Sequence, residues 1–344
     1  MFNDITIEEA FKKGNAVFID VRSPAEYTID AIPSAVNVPV LDNEQRAQVG
    51  RVYQEEGAKE ARLLAAKLVS PTLPEKIEKI RKIADNKEII FYCWRGGMRS
   101  RAMCELLDLA GINSWRLVGG YKAYRRFICN YFNQRHNYNF IVLYGLTGVG
   151  KTEILQNLRR KGLPTLDLEE LARHRGSVFG GVGLAEQPSQ KKFETGLYQV
   201  LTQYQESQFI FVEGESRKIG KLIIPEQVFY AMQKGKKVLV YDQLENRIKR
   251  ILQEYTKGLN YNLEELENGI NDLQRHIGKA KVKMLLEFFQ QKKFAEICKE
   301  LLINYYDKLY RHSVKLDEPY DFYVCAENIE NAVDELINYA QRLS

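Results

Sequence analysis

The sequence predicts an α/β protein of two units, the first on a partly parallel sheet and the second on a parallel sheet that carries a helical insertion. Three observations predict it. Short apolar runs alternate with helical patterns in the first part of the chain, and the alternation restarts after an aromatic, basic stretch at 121–138. Each part also holds one glycine-rich loop between an apolar run and a helical pattern: Cys93-Trp94-Arg95-Gly96-Gly97-Met98-Arg99-Ser100, and Gly145-Leu146-Thr147-Gly148-Val149-Gly150-Lys151-Thr152.

In the first unit, strands are expected at 16–19, 88–92 and 115–118, the first ending at Asp20, the second at Cys93 and the third before Gly119-Gly120. A helix over 101–109 follows the cysteine loop, because Met103, Leu106, Leu107 and Ala110 recur at helical spacing and Gly111 supplies the stop. The segment 121–138 reads as a helix linking the halves. Beyond it, strands are expected at 140–144, 163–166, 209–212, 238–241 and 322–325, with helices at 152–161 and 189–205. On the second of those helices Phe193, Leu197, Val200, Leu201 and Tyr204 share one face. From about 245 to 312 the pattern is helical throughout and too long for one crossover, so it reads as an insertion; a terminal helix covers 328–343. The domains that follow are 1–127, a linker helix at 128–138, and 139–344 with the insertion at about 245–315.

A chain of 344 residues has the length for two cores, and 45% hydrophobic with 28% charged residues is the balance of a globular chain rather than a disordered one. The 50 Lys and Arg against 45 Asp and Glu leave a formal +5, which accommodates a polyanion such as RNA without requiring one. Five cysteines with no C-x-x-C pair argue against a disulfide framework or a zinc site, and imply reduced thiols. The first nine residues are acidic rather than basic and then apolar, and no apolar run approaches the roughly 20 residues of a membrane span. A cytoplasmic protein with no membrane partner is expected.

Cys93 ends an apolar run and precedes a helix. Backbone N–H groups, the positive helix end and the cations of Arg95, Arg99 and Arg101 therefore favour its thiolate form. Gly96 and Gly97 let the loop curl so that successive N–H groups point inward as a nest for a tetrahedral oxyanion, with Arg95, Arg99 and Ser100 completing the anion site. A buried structural thiol is the ordinary role of a lone cysteine, and the Arg-Gly-Gly-x-Arg-Ser sequel argues against it here. Cysteine-dependent phosphatases share the Cys-x5-Arg spacing, so the loop specifies a thiol beside an oxyanion without specifying which oxyanion.

The second loop is a complete Walker A pattern in the right context, after a strand and opening a helix. Its backbone N–H groups, from Gly145 through Leu146, Thr147, Gly148, Val149 and Gly150, wrap a diphosphate; Lys151 reaches the terminal oxygens, and the Thr152 hydroxyl is placed to ligate Mg²⁺. Glu213, at the end of the apolar run 209–212, takes the place of a Walker B acid or, equally, of a sheet-end carboxylate capping the next turn. The group attached to the phosphates stays open. An ATPase, a kinase and a prenyl diphosphate enzyme all need this cradle, with nucleotide as the default. Arg175 and Ser177 are candidates to contact the diphosphate or RNA, whereas His174 fits a capped or surface role at least as well. The basic runs 159–161, 234–237 and 279–283, with Tyr255 and Tyr261, read either as an RNA backbone track or as solvated helix faces.

Ile19-Asp20-Val21-Arg22-Ser23-Pro24-x-Glu26-Tyr27, then Ala31-Ile32-Pro33-Ser34-Ala35-Val36-Asn37-Val38-Pro39, and later Cys93 on its loop, resemble the rhodanese family over roughly the first 125 residues. Rhodanese domains carry sulfur as a cysteine persulfide, so the resemblance implies Cys93 as the chalcogen-handling residue. The chain departs from that family in having Ala31 where many rhodaneses have His, and in a cysteine loop one residue longer, which implies a bulkier anion. The whole order, a rhodanese-like α/β domain and then a P-loop NTPase-like α/β domain, resembles the bacterial tRNA 2-selenouridine synthases. The similarity runs through Gly119 to Tyr124, Asp167-Leu168-Glu169, His174 to Gly180, Gln187 to Gln190 and Glu213-Gly214-Glu215-Ser216, and thins in the helical insertion.

That resemblance implies replacement of sulfur by selenium in wobble 2-thiouridine of tRNA, with selenophosphate as donor. It further implies geranyl diphosphate as co-substrate, forming an S-geranyl intermediate whose thiol leaving group selenium displaces. Selenophosphate would sit on the cysteine loop and the geranyl diphosphate pyrophosphate on the second loop, with Mg²⁺ optional, ATP not obligatory, and a selenophosphate-supplying enzyme as an admissible partner. Two other classes fit parts of the sequence: an ATP-dependent small-molecule kinase with a rhodanese-like regulatory module, and a plain sulfurtransferase or cysteine phosphatase. Only the tRNA reading gives both loops work in one pathway.

Overall fold

Local signals set where the first helices begin. Thr6 with Glu9 and Asp42 with Gln45 each close a reciprocal capping box, and the Glu26 carboxylate accepts from the Ser23 amide at 3.1 Å. The computed structural model describes residues 2–177, 179–256, 263–310 and 319–343, and the chain divides into two units at Tyr131 and Phe132.

The first unit runs β1 (Asn3–Ile5), α1 (Ile7–Lys12), β2 (Ala16–Asp20), α2 (Pro24–Ile29), β3 (Val36–Asn37), α3 (Asn43–Glu55), α4 (Ala58–Val69), α5 (Leu73–Ala84), β4 (Glu88–Tyr92), α6 (Met98–Leu109), β5 (Ser114–Leu117) and α7 (Gly120–Asn133). Its five strands are ordered β1-β5-β4-β2-β3, and every pairing is parallel. Central β4 reads as an unbroken apolar run, Ile-Ile-Phe-Tyr, because both faces of such a sheet are covered. Ile19, Val21, Ile80, Phe91, Cys104 and Leu107 lie in the core. Helix α3 buries none of its residues and so needs no apolar stripe, whereas α5 buries Ile80 and Ala84 against the sheet.

Next to the core, Arg22 and Asp20 form a fully buried ion pair at 2.6 Å, with side chains 1% and 0% exposed. The Arg22 guanidinium also donates to the Asp30 carbonyl at 2.8 Å and lies 4.0 Å from the centre of the Tyr121 ring. Removing one partner strands the other charge away from water. Arg22→Met is therefore expected to destabilise this unit by about 3–5 kcal/mol, read as a lower midpoint in urea unfolding, whereas a change under 1 kcal/mol would show that the pair is not the anchor described.

The second unit runs β6 (Phe140–Tyr144), α8 (Lys151–Arg160), β7 (Thr165–Leu166), α9 (Leu168–Ala172), α10 (Gln190–Gln203), β8 (Ile210–Glu213), β9 (Lys218–Ile219), β10 (Leu222–Ile223), α11 (Glu226–Lys234) and β11 (Lys236–Tyr241). A helical connection follows: α12 (Leu244–Thr256), α13 (Leu263–Asp272), α14 (Gln274–Ile277), α15 (Lys279–Gln290), α16 (Phe294–Leu301), a π-helical turn (Leu302–Tyr306) and α17 (Asp307–Tyr310). Strand β12 (Phe322–Cys325) and helix α18 (Ile329–Arg342) close the unit. The main sheet is ordered β12-β11-β6-β8-β7 and is parallel, while β9 and β10 form a separate antiparallel pair. Strand β6 lies between β8 and β11, so the loop at its carboxyl end opens at a topological switch point, where parallel α/β sheets bind ligands.

The insertion between β11 and β12 has its own core of Ile270, Leu273, Leu285, Leu301 and Leu302. Parts of the predicted helical stretch, 257–262 with Tyr261 and 311–318, lie outside the described residues. Two expected extents are corrected. The helix expected to reach 138 stops at Asn133, in a stretch where asparagines at 133, 137 and 139 compete for backbone hydrogen bonds. The strand expected from 163 starts at Thr165, because the Leu163 amide closes the end of α8 on the Leu158 carbonyl and Pro164 has no N–H to pair. Among the described residues no helix is long and apolar enough to cross a membrane.

Candidate active sites

Strand β4 delivers Cys93 to its carboxyl end, buried to 3% exposure. The Gly97 amide donates to Cys93 Sγ at 3.2 Å, and Ser100 Oγ lies 3.3 Å from the same sulfur, where either atom can donate. Ser100 Oγ is in turn 3.2 Å from the Gly97 carbonyl. An amide and a hydroxyl thus converge on the sulfur from the first turn of α6. The loop is held from below by the start of α7, where the Tyr121 and Lys122 amides donate to the Cys93 and Trp94 carbonyls at 2.8 and 3.0 Å. This close approach requires Gly120: its φ is +56°, and a Cβ there would stand 2.2 Å from the Cys93 oxygen.

The cations of this loop are differently engaged. Arg95 is exposed. Arg99 makes a two-pronged pair with Glu26, at 2.7 and 3.3 Å. Burial opposes ionisation of Glu26, yet the Arg99 guanidinium holds its carboxyl below the ordinary range. Any anion that takes the fork of Arg99 therefore competes with a carboxylate already there.

In the second unit the residues from Gly145 to Thr152 form the turn between β6 and α8, with Gly150 at the N-cap in the left-handed region. Lys151 Nζ donates back to the Gly145 carbonyl at 2.9 Å, across the mouth of the loop. Thr152 Oγ1 donates to Glu169 Oε2 at 3.3 Å. The outer wall comes from the insertion: Arg247 on α12 donates to the Thr147 carbonyl at 2.9 Å while paired with Asp307 at 2.6 Å. Arg250, one turn on, reaches Asp242 and the Ala326 carbonyl and lies 3.5 Å from the Gly148 and Val149 carbonyls.

Opposite Lys151 stands a wall of carboxylates. Glu213, 3% exposed at the end of β8, accepts from the Glu169 amide at 2.8 Å, while its Oε2 is buried and meets no hydrogen-bond donor. Burial, then Asp167 and Glu169, push the Glu213 carboxyl well above its ordinary range. Burial and the neighbouring Glu215 push Glu169 up to about 8, with Lys151 pulling the other way. Burial likewise raises Glu215, against Lys151. His174 accepts from the Gly176 amide at 3.1 Å through Nδ1, and burial, then Arg175, lower its affinity for a proton. Arg175 pairs with Glu254, donates to the Val182 carbonyl at 2.9 Å and lies 5.0 Å from the centre of the Tyr255 ring.

These groups line one end of a cavity of 540 Å³ whose other end is apolar. Lys151, Thr152, Glu169, Arg175, Ser177, Glu213, Glu215 and Arg250 form the polar end; Leu266, Ile270, Phe289, Phe294, Ile297 and Leu301 of the insertion form the other. The volume is in the range of small-molecule sites. The fold thus gathers Lys151, Thr152, Arg175, Ser177 and Glu213 about one space, leaves His174 just behind it as a turn residue, and gives Cys93 a site of its own in the first unit. Residue patterns alone did not single out Glu169, Glu215, Arg247 and Arg250. For the two glutamates a signal exists, Asp-x-Glu and Glu-x-Glu directly after strands; for the arginines there is none, since α12 carries charge like any solvated helix. Several members of the basic runs are already paired within the chain: Arg159 with Glu170, Lys161 with Asp334, Lys236 with Asp321 and Lys281 with Glu300.

Fold and sites together define the class: a rhodanese-like domain bearing a cysteine loop, followed by a P-loop α/β domain whose helical insertion roofs the P-loop. Residues 6–127 match the rhodanese-like domain and residues 138–342 match the tRNA 2-selenouridine synthase AAA domain. The chain belongs to the tRNA 2-selenouridine synthase family. A tRNA 2-selenouridine synthase of Psychromonas ingrahamii is 32% identical over 324 residues, covering 86% of this chain and 87% of that protein. One of Shewanella denitrificans is 33% identical over 326 residues, covering 86% and 88%. With one of Nitrosomonas eutropha the match is 36% over 246 residues, 69% of this chain and 62% of the relative's length.

Proposed function

We propose that the protein is a cytoplasmic tRNA-modifying enzyme that replaces sulfur by selenium in wobble 2-thiouridine. In this reading the second unit first alkylates the sulfur with geranyl diphosphate, and the first unit then handles selenophosphate, delivered by a selenophosphate-supplying enzyme. The domains 1–127 and 139–344, joined through 128–138, divide that labour. One observation carries the choice of a prenyl diphosphate over a nucleotide: the phosphate loop and the apolar pocket of the insertion are two ends of the same cavity. A diphosphate on Lys151 and the loop amides directs its ester tail toward Leu266, Ile297 and Leu301, where an alkyl chain gains by burial.

Gly145 to Thr152 would hold the diphosphate, with Arg175, Ser177 and Glu213 around it and His174 setting the turn that carries Arg175. Mg²⁺ fits one residue, Thr152. Among the described residues no group of three or more His, Cys, Asp or Glu side chains has metal-holding geometry, so the ion's other ligands would be diphosphate oxygens and water. When bound, it neutralises charge on the departing diphosphate; ATP is not required. On the other unit, Cys93 either attacks or positions selenophosphate, whose oxygens take the Gly96 and Gly97 amides, Ser100, Arg95 and, displacing Glu26, Arg99.

The test is mass spectrometry of nucleosides from 2-thiouridine tRNA incubated with geranyl diphosphate and selenophosphate, singly and together. S-geranyl-2-thiouridine with the diphosphate alone, and 2-selenouridine only with both, is the expected pattern; unchanged tRNA overturns the reading in favour of a kinase. Leu266→Trp is expected to fill the apolar end and raise KM for geranyl diphosphate about tenfold or more, a misfit in an apolar pocket being worth about 1–3 kcal/mol. Pyrophosphate should inhibit the variant as it inhibits the parent. An unchanged KM would place the tail elsewhere.

A further inference from the structure

Alkylating the sulfur of a 2-thiouracil ring releases a proton. The C1–O bond of the prenyl diphosphate breaks, its electrons leave on the diphosphate, the S–C1 bond forms, and the ring closes a C2=N3 double bond only as the N3–H proton departs. That proton needs an acceptor in the alkylation site; Lys151 and the loop amides are donors, which leaves the departing diphosphate itself and the carboxylates of the cavity. The carboxylates on the cavity wall are Glu153, Glu169, Glu213, Glu215 and Glu254, of which Glu153 lies 3.9 Å from the Arg250 guanidinium.

Their geometry separates them. Glu254 is held in an ion pair with Arg175. Glu213 is 3% exposed, with one oxygen on the Glu169 amide, and burial together with Asp167 and Glu169 favours its protonated form, which cannot take up a further proton. Glu169 takes the Thr152 hydroxyl at 3.3 Å and so faces the phosphates. Glu215 sits two residues beyond the strand end, against the loop that carries Arg175 and Ser177; its Oε2 lies so close to Gly176 that a Cβ there would be 2.7 Å away. It thus lines the cavity against the loop of Arg175 and Ser177 while also feeling the charge of Lys151.

We propose that Glu215 is the general base of the alkylation step, taking the N3 proton of the thiouracil as the S–C1 bond forms. The inference rests on the S-alkylation reading above. The charged groups that share the cavity with it are Lys151, Arg175 and Arg250 as cations and Glu153, Glu169, Glu213 and Glu254 as carboxylates. Burial raises the Glu215 carboxyl while Lys151 holds it down, which moves its titration toward the working pH, where a base is effective. A base must be ionised to act, so the rate falls on the acid side as Glu215 takes its proton in advance.

The experiment measures single-turnover S-geranylation of 2-thiouridine tRNA across pH for the parent chain, Glu215→Gln, Glu215→Asp and Glu169→Gln, beside calorimetric binding of geranyl diphosphate. Expected for Glu215→Gln is a loss of about 10²–10⁴-fold in rate, disappearance of the acid limb, and diphosphate binding that stays intact, which also certifies the fold; Glu215→Asp should recover part of the rate. A Glu215→Gln rate within about threefold of the parent with the same profile sinks the inference while leaving the alkylation reading standing, as does an acid limb removed by Glu169→Gln instead. Loss of diphosphate binding in Glu215→Gln with no recovery in Glu215→Asp would make Glu215 a structural residue and also overturn it. A parent chain that yields no S-geranyl product overturns the alkylation reading itself, and the base with it.

Discussion

Lys151→Ala is expected to lower S-geranylation of 2-thiouridine tRNA by about 10²–10³-fold, the usual cost of removing one charge that meets a departing oxyanion. The ammonium already bridges the loop mouth to the Gly145 carbonyl at 2.9 Å, so the cation is in position before substrate arrives and little reorganisation is needed. Lys151→Arg should rescue poorly, because a planar fork cannot occupy the place of a point charge inside a turn built around glycines. The Gly145 turn has no slack: a Cβ on that residue would stand 2.4 Å from the Val240 carbonyl. Selenation should fall in parallel, since its intermediate is not made. A tRNA already carrying S-geranyl-2-thiouridine should bypass the lesion and yield 2-selenouridine at close to the parent rate. Geranylation by Lys151→Ala within about threefold of the parent would remove the phosphate loop from the reaction.

Cys93→Ala is expected to do the reverse: no 2-selenouridine, and S-geranyl-2-thiouridine accumulating. The amide of Gly97 and the hydroxyl of Ser100 both meet the sulfur, at 3.2 and 3.3 Å, and alanine leaves that pair of groups with no anion or thiol to bind. The alkylation rate should stay within about twofold, since changes at independent sites add to within about 0.5 kcal/mol. Nucleoside mass spectrometry reads both quantities from one digest. Selenouridine formed at the parent rate would reduce Cys93 to a structural thiol, and loss of both products would mean that the two units do not divide the steps as proposed.

Much of the fold was legible because its signals are local. The parallel strands β4 and β6 are buried on both faces and announce themselves as unbroken apolar runs, and α10 shows its stripe. Helix α3 was not legible, since a helix that buries none of its residues asks little of them. The short strands β1 and β3 of the first unit each owe their existence to a neighbour across the sheet rather than to their own composition.

The same division holds at the sites. Residue order by itself presented a thiol in a glycine-rich loop and a P-loop pattern with its lysine and hydroxyl, because each is a contiguous turn written in eight residues. Only the tertiary structure decided what surrounds the P-loop. Arg247 meets the Thr147 carbonyl across 100 positions, and Glu213 meets the Glu169 amide across 44. The apolar part of the cavity is made by helices that enter the chain after β11 and return to roof a loop that follows β6. Such a space has no sequence signature, because an apolar residue that lines a cavity and one that fills a core obey the same pattern; only packing leaves the difference between them.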